Sequence, residues 1–522
     1  MRNQSRIVNS TKNLISILLS QVVSILLRFI GRTIFINVLG KSYLGINGLF
    51  SDIFTMLSLA ELGLDTAITY RLYKPIAEND NERLRVLLNF YKHAYFIIGL
   101  VIFTAGIILI PFLPYLIKDY SKLDDLGINA TLIFLLYLFN TASTYLFFAY
   151  RSSIIKAAQK MYIVTSISMI VSFVARIVQI VSLLIFRSFT LYVAISVFFS
   201  VITNFISFIA AKRMFPEVCM PTKEKLDISE IKDIFKDLSA VFVGKVNVVV
   251  LKATDNIVLS AFIGLETVGL YSNYLLLYTT IKSLLTGVYN AAKASMGDFF
   301  IQSDLQTKYD FFKLMNYITI ILYGTAAVGV SVVANELIGV WIGDDYLIEF
   351  PFSVLIGIEI LFMGIKQNLN QIRNVSGLFR QMWMRPLIGT IINLVVSIAL
   401  VNTLGIFGVI IGTITADIAA NFAIDPRIIF INAFNNKWKV SEYYYRSIRY
   451  IFELFLVGAL DLVLCKYSFW GNGYISIIFH VVICAISVPT YMLFVYRRTN
   501  EARYVFSLIK RVIGKIPIFE RR

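Results

Sequence analysis

The chain has 522 residues, of which 58% are hydrophobic and 15% charged, and its mean hydropathy is +0.75. A soluble domain cannot bury that much apolar surface, so the composition excludes a soluble protein and predicts an integral membrane protein. The formal net charge of +16 is no argument for nucleic-acid binding, because the basic residues fall mainly between apolar segments. The three cysteines and two histidines are widely separated, which indicates neither a disulfide framework nor a metal site.

Apolar windows of about 20 residues, bounded by Lys, Arg, Pro, Gly or polar clusters, predict the transmembrane helices. The first window follows basic residues but has no small-residue cleavage site, so we expect it to be retained as a spanning helix. Fourteen spans are predicted, near residues 13–37, 44–70, 91–117, 127–150, 161–186, 190–211, 238–262, 267–290, 310–333, 351–375, 386–403, 406–431, 447–467 and 474–496.

The distribution of basic residues predicts the orientation of the chain. When the loops are assigned alternately to the two sides, most of the 48 Lys and Arg residues fall on the side of the N terminus. The longest loop of the opposite side contains Asp344 and Asp345 and is acidic. By the positive-inside rule we expect a multi-pass protein of the cytoplasmic membrane with both termini in the cytoplasm. Its basic rim would then lie against anionic membrane lipids.

The longest cytoplasmic loop divides the chain, because it separates six predicted spans from the eight that follow. We therefore expect an N-terminal six-helix bundle at residues 1–211, a connecting loop at 212–238 and a C-terminal six-helix bundle at 239–446. The remaining residues, 447–522, would form two extra transmembrane helices and a basic cytoplasmic tail.

An internal repeat supports this division. The turn written Leu39-Gly40, followed by Gly45, is matched 224 residues later by Ile263-Gly264, followed by Gly269. The same shift places a cation on a cation, Lys252 on Arg28. Each repeat has an even number of spans and so enters the membrane from the same side, which predicts an axis along the membrane normal. Transporters place substrate sites near the midplane at such repeat interfaces.

Three motifs carry a resemblance to a known family: Leu-Gly-x4-Gly-x-x-Gly-Leu-Phe at 39–50 followed by Leu-Ala-Glu-Leu-Gly-Leu-Asp at 59–65, the repeat at 263–271, and Leu-Gly-Ile-Phe-Gly at 404–408. On these motifs the chain resembles the polysaccharide flippase (Wzx) branch of the multidrug/oligosaccharidyl-lipid/polysaccharide exporter superfamily over essentially its whole length. The resemblance implies an all-α integral membrane fold of two six-helix bundles, related by a pseudo-two-fold around a central cavity, plus two C-terminal helices.

The same resemblance implies a function in transport. The expected activity is a non-enzymatic flippase, without cofactor, that moves an undecaprenyl-diphosphate-linked oligosaccharide to the outer leaflet by alternating access. The product would serve capsule, exopolysaccharide or O-antigen synthesis, and contact with polysaccharide assembly proteins would be expected.

Cations inside the apolar segments are the candidate substrate ligands. A charge at a helix centre costs about 2.5–3.5 kcal/mol on insertion scales, so such residues usually face a partner or a water-filled cavity. A diphosphate would be held by Arg forks and Lys point charges. The expected substrate-binding residues are Arg28, Arg176, Lys252 and Lys366.

Alternatives stay open for both the residues and the function. Asp255 follows Lys252 by three residues, so an internal ion pair that only fixes the helix is the alternative reading of that lysine. Asp52 and Asp417 are candidates for coupling to H⁺ or Na⁺. A drug or metabolite/cation antiporter of the same fold would favour an acidic cavity instead. A membrane glycosyltransferase or polysaccharide polymerase would ordinarily need a large catalytic outer loop, and the predicted outer loops are short.

Overall fold

The computed structural model describes residues 21, 23–61, 64–118, 120–125, 127–147, 149–234, 253–378, 381–382, 384–467 and 473–513. Within these ranges the chain is helical, with turns between the helices and no strand, as predicted for an all-α membrane protein. It forms two compact units, Met1–Gly269 and Leu270–Arg522. The finer boundaries predicted at residues 211, 238 and 446 stay predictions.

The first unit contains ten described helices and the beginning of an eleventh. Short helical turns lie at Ser58–Glu61, Ile110–Phe112, Leu113–Leu116, Lys122–Asp125 and Ala149–Arg151. The longer helices are α1 (23–39), α2 (Lys41–Leu57), α3 (Leu64–Glu78), α4 (Asn81–Leu109), α5 (Ala130–Leu146), α6 (Ser152–Ala157), α7 (Met161–Phe186), α8 (Phe189–Met214), α9 (228–234), α10 (253–262) and the start of α11 (Leu265–Gln302).

The second unit continues from α11 to the last described residue. A short helical turn at Asp344–Tyr346 lies between the helix that ends at Ile342 and the helix that begins at Pro351. Its helices are α12 (Leu305–Ile342), α13 (Pro351–Val375), α14 (Arg385–Leu404), α15 (Ile406–Ala416), α16 (Asp425–Asn432), α17 (Val440–Lys466), α18 (Tyr474–Val495) and α19 (Asn500–Ile513).

Polar side chains fix where several of these helices begin. Each accepts a hydrogen bond from a backbone N–H in the first turn, which satisfies one of the donors that a helix start leaves without a partner. These N-caps are Asp80 on α4, Asn129 on α5, Ser188 on α8 and Asp304 on α12.

Eight helices in the described part of the chain are long and apolar enough to cross a membrane. They confirm a multi-pass membrane protein, but the count of fourteen stays a prediction. The spans expected at 13–37 and 238–262 extend beyond the described residues, and the one expected at 127–150 forms the 17-residue apolar helix α5. The eight spans are Asn81–Leu116, Met161–Phe186, Phe189–Met214, Leu305–Ile342, Pro351–Val375, Arg385–Leu404, Ile406–Asn432 and Tyr474–Val495.

The helices differ in how much of their surface is covered by protein. In the most apolar stretch of α13, 67% of the residues are buried, and in that of α8 only 17%. The uncovered positions on α8 include large apolar side chains such as Phe198 and Phe205. Apolar surface left uncovered on a membrane-spanning helix is what contact with lipid tails requires.

Close helix packing in the second unit depends on small residues, as is usual between membrane helices. A Cβ atom on Gly357 would lie 2.6 Å from the carbonyl oxygen of Ala327, and one on Gly364 would lie 2.4 Å from the ring of Tyr323. Glycine therefore allows α13 to approach α12 at two levels along the pair.

The span at Ile406–Asn432 is interrupted. Regular α-helix ends at Ala416, a π-helical segment covers Asp417–Phe422, and α16 begins at Asp425 with Pro426 in its first turn. Proline is accepted there because its missing N–H would have no partner in the first turn of a helix. Isolated π-helical turns within α-helices occur frequently at functional sites.

Candidate functional site

The two repeat turns adopt related backbone conformations. Gly40 ends α1 with φ +88°, and Gly264 ends α10 with φ +133°. Both values lie in the region that glycine enters without steric cost. The turns then lead directly into α2 and α11, so the sequence repeat corresponds to a structural one.

The helices that follow these turns touch each other reciprocally. A Cβ atom on Gly45 would lie 2.0 Å from the carbonyl oxygen of Leu265, and one on Gly269 would lie 2.3 Å from that of Lys41. Shifting Gly45 and Lys41 by the repeat offset gives Gly269 and Leu265, so the two contacts are equivalent. This is the reciprocity that a two-fold relation produces. The Lys41 ammonium also lies 3.1 Å from the carboxylate of Glu266, which adds an ion pair to the contact.

Farther along α2, a polar face includes the coupling candidate Asp52. Its carboxylate accepts a hydrogen bond of 2.5 Å from the side-chain amide of Asn256 on α10. One turn earlier, Asn47 accepts a hydrogen bond from the hydroxyl of Tyr137 on α5. The carboxylate of Asp52 thus accepts from a neutral donor, and a change in its protonation would alter the contact between α2 and α10.

The substrate candidate Arg176 on α7 is fixed in place by neutral partners. Its Nη1 donates to the hydroxyl of Tyr192 at 2.8 Å and to Oε1 of Gln179 at 3.2 Å. Gln179 is buried and donates in turn to the backbone oxygen of Tyr192 at 3.0 Å, which joins α7 to α8. Because these partners carry no charge, they orient the guanidinium without neutralising it.

The α1 cations have different surroundings. The Tyr192 ring packs edge-on against Phe35 of α1, with centroids 5.2 Å apart, and brings that helix to the Arg176 cluster. Arg32 interacts electrostatically with both Arg176 and Tyr192, whereas Arg28 is exposed. The structure therefore places Arg32, which is not among the expected substrate-binding residues, near Arg176. Lys252, the cation predicted to be equivalent to Arg28, lies outside the described residues.

In the second unit, the substrate candidate Lys366 and the coupling candidate Asp417 are partners. The Lys366 ammonium donates to Oδ1 of Asp417 at 2.9 Å, and the amide of Asn421 donates to the same oxygen at 2.6 Å. Asp417 begins the π-helical segment, so this ion pair joins α13 to the interrupted span. Two turns from Lys366 on α13, Glu359 lies beside Tyr278 and Lys282.

A second ion pair lies beside α13, about one turn beyond Lys366. Arg385, at the start of α14, donates to both Asp425 and Asn370, the latter at 3.2 Å. Both ionic partners are buried, with side-chain exposures of 7% for Arg385 and 0% for Asp425. Breaking such a buried pair by removing one partner typically costs about 3–5 kcal/mol. Arg385 and Asp425 therefore hold α16, the helix that follows the interruption, against the start of α14.

Sequence reasoning missed these contacts for identifiable reasons. Neither Arg385 nor Asp425 is among the residues expected at the site from the sequence. His480, isolated in the sequence, contacts Glu336 at 2.6 Å. The available signal was the presence of charges of both signs inside separate apolar segments, since buried charges are usually paired. It does not say which segments are neighbours.

No group of three or more His, Cys, Asp or Glu side chains in the described part of the chain could hold a metal ion. The polar groups described above instead form two kinds of set. One is a cation with neutral partners, at Arg176, and the other is an ion pair, as between Lys366 and Asp417. Such sets suit the binding of an anion and the exchange of a proton or monovalent cation.

Comparison with known proteins identifies the family. The model of the family described as polysaccharide biosynthesis protein matches residues 10–292. The chain is also 24% identical, over 425 residues, to an uncharacterized membrane protein of Methanocaldococcus jannaschii, covering 76% of this chain and 79% of the relative.

Solved structures show the fold. The lipid II flippase MurJ in an inward closed conformation matches with a TM-score of 0.64 and 15% identity, over 94% of this chain and 99% of that chain. An inward-facing multidrug resistance MATE transporter of the MOP superfamily matches with a TM-score of 0.58 and 12% identity, over 80% and 96%. These findings confirm the resemblance inferred from the glycine motifs. The chain belongs to the polysaccharide biosynthesis protein family and has the membrane fold of the MOP superfamily.

Proposed function

We propose that the protein is a flippase that moves an undecaprenyl-diphosphate-linked oligosaccharide across the cytoplasmic membrane by alternating access, without catalysing a reaction. Membership of a polysaccharide biosynthesis family and the MOP fold support this proposal. One structural neighbour is described as a lipid II flippase, so this fold can be combined with a lipid-linked cargo.

The observation that carries the proposal is that the charged side chain of Arg176 is hydrogen-bonded to neutral partners. A guanidinium within a membrane-spanning helix is costly, and this one is held by the neutral groups of Tyr192 and Gln179. Its positive charge therefore stays available for an anionic ligand. Arginine binds phosphate oxygens in a bidentate manner, and such contacts strengthen where water is excluded. The diphosphate is the anionic part of the proposed substrate.

The pair formed by Lys366 and Asp417 suggests how transport is coupled to an ion. Protonation of Asp417, or its binding of Na⁺, would weaken its attraction to Lys366 and free the lysine for the diphosphate. The π-helical segment that begins at Asp417 would then rearrange with the pair. Assignment of the four cations Arg28, Arg176, Lys252 and Lys366 to the substrate remains part of the proposal.

A drug or metabolite/cation antiporter is the second candidate, and Glu359 is the observation that favours it. This carboxyl group lies within a membrane-spanning helix next to Tyr278, and acidic groups in such positions bind cationic substrates. A glycosyltransferase or polymerase has no comparable support from the described residues.

Lipid analysis of a deletion strain distinguishes these functions. A flippase defect should cause one diphosphate-linked glycan to accumulate, and the wild-type gene on a plasmid should restore its normal level. An antiporter defect should instead raise sensitivity to cationic compounds and leave the lipid-linked glycans unchanged. The second pattern would contradict the flippase proposal.

A further inference from the structure

A basic cavity of about 280 Å³ lies in the first unit, away from Arg176 and Asp52. It is enclosed by α4, by the turn at Ala149–Arg151 and by the loop that follows α8. Three cations line it, Arg85, Lys92 and Arg151, together with Asn89, Tyr150 and Cys219. None of the lining residues is acidic.

Two acidic groups of the neighbouring segments are engaged with residues that do not line the cavity. Glu217, in the loop after α8, accepts a hydrogen bond of 2.6 Å from Asn81. Glu230 pairs with Arg83, which does not line the cavity. With three cations and no carboxylate, the lining of the cavity carries a net positive charge.

The walls of the cavity are held in place by hydrogen bonds. Arg151 donates to the backbone oxygen of Cys219 at 3.3 Å and to the hydroxyl of Tyr150 at 3.2 Å, and its guanidinium lies 4.3 Å from the centre of the Phe208 ring. Asn89 donates to the backbone oxygen of Thr222 at 3.3 Å. The hydrogen bonds tie the loop to α4 and to the Ala149–Arg151 turn, and the ring contact ties that turn to α8, so the cavity exists before a ligand binds.

Arg85 has a buried donor that points to an anionic ligand. Its Nε is buried, and no hydrogen-bond partner reaches it from the residues that the structure describes. Buried donors normally have a hydrogen-bond partner. Leaving a buried donor without one costs more free energy for a charged guanidinium than for a neutral donor. An anion with several acceptor oxygens would supply the missing contact.

The position of the cavity along α4 indicates the source of that anion. The span Asn81–Leu116 has 36 residues, or roughly 54 Å at about 1.5 Å per residue, whereas the hydrocarbon core is about 30 Å thick. The continuous apolar sequence of this span begins only after His93. Arg85, Asn89 and Lys92 share a face of the preceding turns, at the depth of the lipid headgroups.

We propose that this cavity binds the phosphate of an anionic phospholipid headgroup in the leaflet that the positive-inside rule assigns to the cytoplasm. Basic pockets between transmembrane helices on that side are suited to such headgroups. The volume lies just below the roughly 300–1,000 Å³ range of sites for small molecules, which fits a headgroup and is too small for an oligosaccharide with its diphosphate.

Cys219 is a built-in reporter of occupancy, because it lines the cavity and is partly exposed. The other two cysteines, Cys465 and Cys484, are buried. The test uses the full chain in nanodiscs of phosphatidylcholine alone or with phosphatidylglycerol. Alkylation of Cys219 by the uncharged reagent N-ethylmaleimide is followed by mass spectrometry. We expect phosphatidylglycerol to slow the alkylation several-fold.

The test variant is the double substitution Arg85→Gln and Lys92→Gln, which removes two lining cations without touching the hydrogen bonds of Arg151. With two fewer cations, the concentration of phosphatidylglycerol needed for protection should rise roughly 10- to 30-fold. The matched control, Lys74→Gln with Lys160→Gln, removes the same charge from the same side but does not line the cavity. It should be protected like the wild type.

Three results would overturn the proposal. Equal protection of the test variant and the wild type would show a general effect of surface charge. Protection by soluble pyrophosphate in phosphatidylcholine nanodiscs, without protection by phosphatidylglycerol, would assign the cavity to a free phosphate compound. If neither compound protected Cys219, the cavity would not be a binding site for an anion. Native mass spectrometry checks the binding separately, since the test variant should retain one phosphatidylglycerol fewer than the control.

Discussion

Arg176 is the residue on which the functional proposal depends most. Replacing it with Gln keeps a side chain able to hydrogen-bond Tyr192 but removes the charge. If the guanidinium binds the diphosphate, the change removes a charge-assisted contact of about 1.5–3 kcal/mol. Apparent affinity for the lipid-linked substrate should then fall by roughly one to two orders of magnitude. Substrate accumulation in cells that carry the variant as their only copy measures the effect.

Arg176→Lys and Arg187→Gln are the matched controls. The lysine variant keeps the charge without the planar fork, so it should recover part of the activity. Arg187 is an exposed residue just beyond the end of the same helix, and its replacement should leave transport unchanged. Full transport by a well-expressed Arg176→Gln protein would rule out the proposed role.

Lys366 and Asp417 form the pair for which structural and coupling roles can be separated. The single variant Asp417→Asn leaves the Lys366 charge without its partner and should destabilise the protein by up to about 3–5 kcal/mol. The double variant Lys366→Met with Asp417→Asn removes both charges, so most of the stability should return. Thermal unfolding in detergent measures this part of the prediction.

Transport by the same double variant decides the role of the pair. If the pair takes part in transport, through ion coupling at Asp417 or substrate binding at Lys366, the double variant should fold normally and be inactive. Stability and transport recovered together would show that the pair only joins the helices.

At the residue scale, the sequence predicted which side chains lie within membrane-spanning helices but not which of them are partners. The cost of a charge in the membrane marks Arg176, Lys366 and Asp417 from the sequence alone. The pairing of Arg385 with Asp425 depends on how α14 and α16 pack, and no periodicity within one helix contains that information. For the same reason, the sequence does not indicate that Arg32 lies near Arg176.

At the scale of elements, the reciprocal glycine contact makes a sharp prediction. Gly45→Ala would place a Cβ atom 2.0 Å from the carbonyl oxygen of Leu265, so α2 and α11 would have to separate. Overpacking of this kind typically costs about 1–3 kcal/mol. Gly48→Ala, on the same helix, meets its nearest side chain at an ordinary 3.5 Å and should be neutral or slightly stabilising. Equal melting temperatures for the two variants would contradict the contact.

The docking of α19 should depend on pH. Burial tends to raise the pKa of Glu501, but the hydrogen bond and charge of Arg446 outweigh it, so this pKa lies below its ordinary value of 4.5. The ion pair, with N···O 2.9 Å, therefore stabilises the docked helix above pH 4.5 and is lost as the pH falls below that value. Amide hydrogen exchange of α19 should accelerate across this range once the intrinsic rates are corrected for pH.

Arg446→Gln is the control for this prediction. Without the guanidinium, α19 should exchange faster at neutral pH, and the extra acceleration on acidification should disappear. If the variant kept the same acid response as the wild type, Glu501 would not be the group responsible.

Helices were the part of the fold most accessible to prediction, because long apolar windows have few alternatives to a membrane span. The ends of the helices and the interruption at Asp417–Phe422 were less accessible. Proline at position 426 indicated a disturbance, but it lies after the π-helical segment and not within it. The repeat was visible because its glycines are required by two similar turns and a close backbone contact.

At the scale of the whole molecule, the orientation in the membrane is testable with the native thiol. Cys219 lies in a loop predicted to be cytoplasmic, and Asp345 is exposed in the acidic loop predicted to be outside. In intact cells, an impermeant maleimide should label Asp345→Cys in a Cys219→Ser background but not the native Cys219. The reverse pattern would invert the predicted topology and the leaflet assigned to the headgroup site.

The most direct test of the account is translocation of the proposed substrate by the purified protein. Proteoliposomes would contain a fluorescent undecaprenyl-diphosphate-linked oligosaccharide, and its accessibility to an impermeant sugar-modifying reagent would be followed over time. The account predicts transfer between leaflets by the wild type, strongly reduced transfer by Arg176→Gln and wild-type transfer by Arg187→Gln. Equal transfer by empty liposomes and by liposomes containing the wild-type protein would contradict the central claim.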